Sequence, residues 1–232
     1  MKFSLVIPCY NEAANLPLLL DRCREVVKQL STEVILVDNG STDESQRVLG
    51  ELLPHYPGCR SVHVKVNQGY GFGILSGLRV AYGEILGWTH ADLQTDPEDA
   101  LRGLSFFTKS ELDLFVKGRR YGRPIGDLIF TVGMSAFETL LLRKSMWDIN
   151  AQPTLFSRKF FETWKNPPND FSLDLYAYYK AKCAGLAVNR FSVRFGERAH
   201  GISHWNINWA AKRKFIYRTI KYSLNLRKHI QE

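Results

Sequence analysis

What most constrains this chain is an alternation. Short apolar runs, "FSLVI" (3–7), "EVILVD" (33–38), "SVHVKV" (61–66) and "EILGW" (84–88), are separated by segments of helical periodicity. Residues 13–30 put Leu16, Leu19, Leu20, Cys23, Val26, Val27 and Leu30 on one side of a helix. "STDESQRVLGELL" (41–53) predicts another, with Ser41 or Thr42 as cap and Glu44 in its first turn. A Gly-punctuated helix follows the third run and reaches Tyr82. Strands alternating with helices predict an α/β fold, a mostly parallel central sheet with helices on both faces. Ligands of such sheets bind at the carboxyl ends of the strands. There this chain places Pro8-Cys9-Tyr10-Asn11-Glu12, Asp38-Asn39-Gly40-Ser41, Asn67-Gln68-Gly69-Tyr70-Gly71 and His90-Ala91-Asp92, all polar or Gly-rich. The ligand site is expected mainly from residues 8–94.

The second half is less regular. A helix is expected over 98–108, a strand over 112–116, and a basic loop, "KGRRYGRP", over 117–124. A long apolar helix covers 126–143, a further helix 171–184, and strands 152–158 and 186–195. There is no internal repeat, low-complexity segment or linker. At 232 residues the chain suits one well-buried domain with a small appendage, divided here as 1–205 and 206–232.

Charge narrows the partners. Thirty-one Lys and Arg against 23 Asp and Glu leave a net charge of +8, which suits a ligand carrying phosphates. No helix-turn-helix, zinc-finger or RNA-recognition pattern supports a nucleic-acid partner. The four cysteines show no metal-type spacing and fit a reducing compartment. The N-terminus lacks a signal-peptide pattern, and the longest apolar stretch, Leu128 to Leu142, is interrupted by Glu138. The expectation is therefore a cytoplasmic protein with no transmembrane segment.

The cluster "NQGYGFGILSG" does not meet the dinucleotide fingerprint, because the third glycine position is filled by Ser76 or Ile74. Its opening residues, Asn67 and Gly69, are expected to bring backbone close to a nucleotide or sugar. Asp38 reads two ways, as an Asx turn or as a carboxylate that accepts from a base; Glu12 similarly suits ribose hydroxyls. "WTHADLQTDP" (88–97) is the most informative stretch. If it is extended, His90, Asp92 and Gln94 share a face, with Ala91 and Leu93 turned away. Asp and Gln oxygens suit Mg²⁺ or Mn²⁺, and an imidazole suits Mn²⁺ better. Thr95-Asp96-Pro97-Glu98 independently reads as a helix start.

In order and spacing, "VIPCYNEAANLPLLL", "VDNGSTDES", "NQGYGFGILSGLRVAYGE" and "HADLQTDPED" resemble family 2 glycosyltransferases with the GT-A nucleotide-diphospho-sugar transferase fold. "ADLQ", "GRRY" (118–121) and "FGERAHGIS" (195–203) are most similar to the dolichol-phosphate mannose synthase and polyprenyl-phosphate branch. The resemblance, over about residues 3–205, implies that Pro8, Tyr10, Glu12 and Asp38 line the base and ribose. It implies that Asp92 and Gln94 hold metal and diphosphate, that Arg120 and Arg198 meet phosphate of donor or acceptor, and that Ser135 lies by the acceptor phosphate. The chain departs from the family where Asp-x-Asp reads His90-Ala91-Asp92, with His90 as the altered metal ligand. It also departs in "FTVGMS" (130–135), which lacks a second Arg, in Gly201-Ile202-Ser203-His204, and in "DINAQPTLF" (148–156).

The tail carries seven basic residues from Lys212 to Lys228. At about 100° per residue, Lys214, Arg218, Lys221, Asn225 and Lys228 share one arc, and Trp209, Phe215, Ile216, Ile220, Tyr222, Leu224 and Leu226 take the rest. Such a helix suits an anionic membrane surface, or else docks on the domain with a solvated basic face. The sequence thus predicts an inverting glycosyltransferase that passes a hexose from a GDP- or UDP-sugar to a polyprenyl phosphate at the inner membrane face, with Mn²⁺ or Mg²⁺. A membrane subunit or a homo-oligomer is compatible with it. A hydroxyl acceptor would require a general base, for which Asp174 and Asp170 are the candidates, both also readable as solvated helix acids. The rivals are a hydroxyl-acceptor glycosyltransferase of the same fold and a degenerate, non-catalytic nucleotide-sugar-binding protein.

Overall fold

A computed structural model describes residues 2–29, 31–108, 111–199 and 209–229. Seven strands, β1 (Phe3–Cys9), β2 (Thr32–Asn39), β3 (Cys59–Val64), β4 (Ile85–Trp88), β5 (Leu114–Tyr121), β6 (Thr154–Ser157) and β7 (Ala187–Arg194), form one sheet of order β3-β2-β1-β4-β6-β5-β7. β3, β2, β1 and β4 run parallel. β6 alone opposes its neighbours, pairing antiparallel with β4 and β5, and β7 is parallel to β5. The expected mostly parallel sheet is present, with one reversed strand.

Side chains alternate across a pleated strand, and the core divides accordingly. Phe3, Leu5 and Ile7 of β1, Val34 and Leu36 of β2, Val116 of β5 and Leu155 of β6 face one layer with helices α1 (Leu16–Val27), α2 (Ser45–Leu52) and α4 (Asp99–Leu104). Val6, Ile35, Val37, Trp88, Phe115 and Phe156 face the other, with α3 (Tyr70–Val80), α6 (Arg158–Glu162) and α7 (Leu173–Cys183). Burial on both faces explains why the first runs are continuously apolar. α3 lies flush on the sheet because Gly77 has no side chain; a Cβ there would stand 2.4 Å from Val6.

Three local expectations are corrected. The basic stretch 117–121 is not loop: it continues β5 to Tyr121, paired throughout with β7. α2 begins at Ser45, not beside Ser41 or Thr42, whose polar groups are bonded to Asn11 instead. α4 ends at Leu104, well short of 108. The Gly201–His204 ending, Leu30, and the side chains of Trp209, Lys214, Phe215 and Lys228 lie outside the described residues.

Two long helices complete the described chain, α5 (Ile125–Leu142) and α8 (Trp209–His229), and they pack against each other. Glu138 does not interrupt the apolar surface of α5, as the sequence suggested. It is wholly buried against α8, where the Ser223 hydroxyl donates to it at 2.7 Å. By length and composition α5 is long and apolar enough to cross a membrane. Tyr222 and Leu226 of α8 join the core beneath, and Arg218 pairs with Asp170 at 3.4 Å.

Burial pushes the Glu138 carboxyl up to about 7 from its usual 4.5, against the opposing Ser223 hydrogen bond. A raised carboxyl gives stability that is complete below its unfolded value and lost as pH rises through the folded one. Between about pH 5 and about pH 8, wild-type stability should therefore fall by roughly 1–3 kcal/mol more than that of Glu138→Gln. Urea unfolding of both proteins across that range measures the difference.

Candidate active site

The carboxyl ends of β1, β2, β4 and β5 meet along one edge of the sheet. At the end of β1 the chain turns through Asn11, in the left-handed region at φ 56°. The Asn11 side-chain oxygen accepts from the backbone N–H of Thr42 (2.8 Å) and Asp43 (3.3 Å), and the Asn11 N–H donates to Ser41 Oγ (3.0 Å). The Glu12 N–H donates to Ser45 Oγ at 2.9 Å. These bonds lace the first two strand-end loops together. Asp38 is buried at the end of β2, accepting from the Ser41 N–H at 3.1 Å and meeting His63 Nδ1 at 2.9 Å. Its Asx-turn role is thus realised, with His63 as a partner that sequence reasoning missed. Pro8 lies within β1, and Tyr10 is exposed beside it.

The glycine cluster serves packing. Gly69, at φ 112°, would set a Cβ 2.4 Å from the Asn169 carbonyl oxygen, and Gly71 would set one 2.5 Å from that of Pro168. Asn67 is exposed, and its side-chain oxygen accepts from the Gly69 N–H at 2.8 Å. These glycines let the start of α3 fit under the 168–170 loop.

Residues 90–94 are not extended. Leu93 takes φ 58°, so His90, Asp92 and Gln94 do not share one face. Gln94 turns to the segment after β7: its amide donates to the Gly196 carbonyl at 3.2 Å, and the Gly196 N–H donates back to the Gln94 carbonyl at 2.8 Å. This clasp brings Arg198 to Asp92, Nη2 to Oδ2, at 2.9 Å. Asp92 Oδ1 accepts from the Gln94 N–H at 3.2 Å. His90 stacks on Tyr70 (centroids 5.5 Å), which stacks on Phe171 (4.6 Å). Burial lowers the His90 pKa, outweighing the nearby Asp92 and Asp174 charges that raise it, which favours the neutral imidazole. Burial raises the Glu12 pKa; the Asn15 hydrogen bond opposes this, the Asp92 charge adds to it, and Arg198 opposes it. Glu12, His90, Asp92, Asp174, Arg120 and Arg198 therefore share one electrostatic neighbourhood.

The second half contributes a network that the sequence concealed. Lys117 is wholly buried, donating to Thr154 Oγ1 at 2.6 Å with Asp174 at 3.7 Å, and burial brings its pKa down to about 8 against the pull of Asp174. Asp174 is not a solvated acid: it is 2% exposed and accepts from the Gln152 amide at 2.6 Å. Asp170, by contrast, is partly exposed and pairs with Arg218. Arg120 and Ser135 do come together, through Asp148. That carboxylate grips the Arg120 guanidinium, with Nε to Oδ1 at 3.0 Å, and the Asp148 N–H donates to Ser135 Oγ at 3.1 Å. Arg123 lies 3.9 Å from Asp148 and donates to Thr131 Oγ1 at 2.6 Å. Both guanidinium groups lie over the Phe195 ring, at 5.3 and 5.4 Å. A lysine at an inward position of a strand was the available signal for Lys117; Asp148 carried none beyond its place in "DINAQPTLF".

Among the described residues no three His, Cys, Asp or Glu side chains stand close enough to hold a metal by themselves. The donor chemistry fits an ion shared with a ligand. Mg²⁺-type cations are commonly bound through one or two carboxylates plus substrate phosphates, and Asp92 offers one such carboxylate at the sheet edge.

A family model described as glycosyl transferase family 2 matches residues 4–164. The chain is 39% identical over 105 residues to an undecaprenyl-phosphate 4-deoxy-4-formamido-L-arabinose transferase of Photorhabdus laumondii, and 40% identical over 105 residues to one of Serratia proteamaculans. Each match covers 44% of this chain and 32% of the relative, so the shared stretch spans about a third of those proteins. The fold is also that of glucosyl-3-phosphoglycerate synthase from Mycobacterium tuberculosis, solved with Mn²⁺, UDP-glucose and phosphoglyceric acid. That likeness has a TM-score of 0.75 at 18% identity, over 98% of this chain and 80% of the other.

Asp148 is 3% exposed, and removing one partner of a buried ion pair costs about 3–5 kcal/mol because the other charge is left unmatched. Asp148→Ala should destabilise the protein by roughly that amount, whereas Asp127→Ala, on the same arm, should stay within about 0.5 kcal/mol. Chemical denaturation of the two variants makes the comparison.

Proposed function

The chain belongs to glycosyl transferase family 2, a glycosyltransferase of GT-A fold, and we propose that it moves a hexose from a nucleotide-diphospho-sugar to a polyprenyl phosphate with inversion at the anomeric carbon. The observation that carries this reading is the Asp92–Arg198 pair, set beside Glu12 and His90 where the loops after β1 and β4 meet the segment after β7. An anion-seeking guanidinium and a cation-seeking carboxylate at one strand-end cleft suit a diphosphate leaving group.

In this reading Tyr10, Pro8, Glu12 and Asp38 border the base and ribose, and Asn67 and Gly69 flank them. A diphosphate arriving beside Asp92 draws the Arg198 guanidinium to itself. A divalent ion, Mn²⁺ or Mg²⁺, would be held by Asp92 with the donor's own oxygens and supplies charge neutralisation to the leaving group. His90, stacked on Tyr70, borders this ligand site as a wall residue. Arg120 and Ser135, organised by Asp148, stand for the acceptor phosphate.

The placing of Asp174 and Asp170 supports a phosphate acceptor over a hydroxyl. A hydroxyl acceptor needs a general base within hydrogen-bond reach, but Asp174 is held by Gln152 and Lys117, and Asp170 by Arg218. A phosphate monoester is already anionic and attacks without one. The relatives named for undecaprenyl phosphate support the lipid form of that acceptor, and the solved synthase with UDP-glucose and Mn²⁺ supports the donor.

Radiolabelled UDP- and GDP-hexoses incubated with undecaprenyl or dolichyl phosphate in detergent should deliver label to the organic phase, dependent on Mn²⁺ or Mg²⁺. Asp92→Asn should cut the rate by roughly 100-fold or more, the scale of several kcal/mol of lost charge stabilisation. If neither donor binds or reacts, the reading fails. His90→Asp should leave the metal requirement unchanged, because His90 is stacked on Tyr70 and does not share a face with Asp92 and Gln94; altered metal titration would return His90 to the ligand set.

A further inference from the structure

The structure assigns a lipid surface to one face of the molecule: we propose that the outer side of α5 rests in the interfacial layer of an anionic bilayer. Ile125, Ile129, Val132, Ala136 and Leu140 recur at the spacing that makes one stripe along a helix. Of these Ile125 is 77%, Ile129 66% and Leu140 79% exposed, and Leu128 adds to the stripe at 47%. The helix bears only two charged side chains, Asp127, which is partly covered, and Glu138, which is wholly buried against α8. The exposed face is thus free of charge for the full length of the element. A soluble surface seldom carries so continuous an apolar patch without an occupant.

The surroundings identify that occupant. Exposed Arg119 precedes the helix, exposed Arg143 and Lys144 follow it, and Trp147 stands 39% exposed beyond them. Cations at both ends of an apolar stripe, with an amphipathic ring beside one of them, match the charge and polarity gradient of an anionic headgroup layer over acyl chains. A second copy of this chain would bring the same cations together. Although α5 is long and apolar enough to span, Thr131, Ser135, Glu138 and Leu142 are buried on its inner side, so the helix is held along the domain and lies on a membrane instead of crossing it.

The same helix joins this face to the phosphate cluster. Ser135 and Thr131, on the buried side, contact Asp148 and Arg123. A phosphate at headgroup depth would then meet Arg120 and Arg123 while its prenyl chain stays in lipid. This point rests on the polyprenyl-phosphate reading above, and the contact surface is α5 in place of the basic tail that the sequence suggested.

Sedimentation of the full chain with vesicles tests the assignment without any sugar transfer. Wild-type protein should pellet with phosphatidylglycerol-containing vesicles and weakly with phosphatidylcholine alone. Ile129→Gln/Leu140→Gln should lower the vesicle-bound partition at least tenfold with circular dichroism unchanged, and Arg143→Glu/Lys144→Glu should reduce binding to the anionic vesicles only. Lys221→Glu, at an exposed position of α8, should bind as wild type. Ile125→Ser replaces the double variant if the latter does not fold. Wild-type protein that stays in the supernatant overturns the assignment. So does an Ile129→Gln/Leu140→Gln variant that binds normally, or a wild-type dimer in sedimentation velocity that this variant dissolves. The transferase reading is judged separately in detergent, where Ile129→Gln/Leu140→Gln should retain its rate; absent transfer there, with vesicle binding intact, defeats the function and leaves the surface.

Discussion

A sheet covered on both faces leaves unpaired charge only one place to collect. Most interior positions of this sheet are apolar on each side, and its backbone groups are taken up by neighbouring strands. Ionisable side chains there lose hydration and are kept only with partners, as Glu33 is by Ser4 and Arg60 and Lys117 by Thr154 and Asp174. They accumulate at the strand ends, where loops supply partners, and this constraint gathers Glu12, Asp38, Asp92 and Arg120 along a single edge although they are scattered in sequence.

The reversed strand β6 extends that edge. Its pairing with β4 and β5 sets Thr154 level with both Trp88 and Lys117, so the buried lysine lies beside the end of β4. Two carboxylates then order the second half of the site. Asp174, from α7, balances Lys117 and orients Gln152, while Asp148 gathers Arg120, Arg123 and Ser135. Each acid touches groups from several elements, which is how a sheet edge, a loop and two helices hold a common geometry.

Much of the first half was legible because its strands are buried on both sides and its helices alternate with them; β1, β2 and β4 fall within two residues of their expected limits. The continuation of β5 was hidden by Lys117, Arg119 and Arg120, whose charges resemble a loop until their tertiary partners are known. The bend at Leu93 was equally hidden, since a left-handed leucine is uncommon and is fixed here by the Gln94–Gly196 clasp from more than a hundred residues away. Asp174 looked solvated because an acid in a first helical turn usually is, yet α7 buries Leu173 to Tyr179 on every side. The glycines after β3 were recognised as a close approach; what they approach is the 168–170 backbone.

The Asp92–Arg198 pair gives the strand-end edge an internal counter-ion. With the guanidinium in place, the two acids Glu12 and Asp92 coexist without confronting each other unscreened. An arginine from the segment after β7 thus balances acids carried on the loops after β1 and β4, and the electrical state of that sheet edge depends on one long side chain.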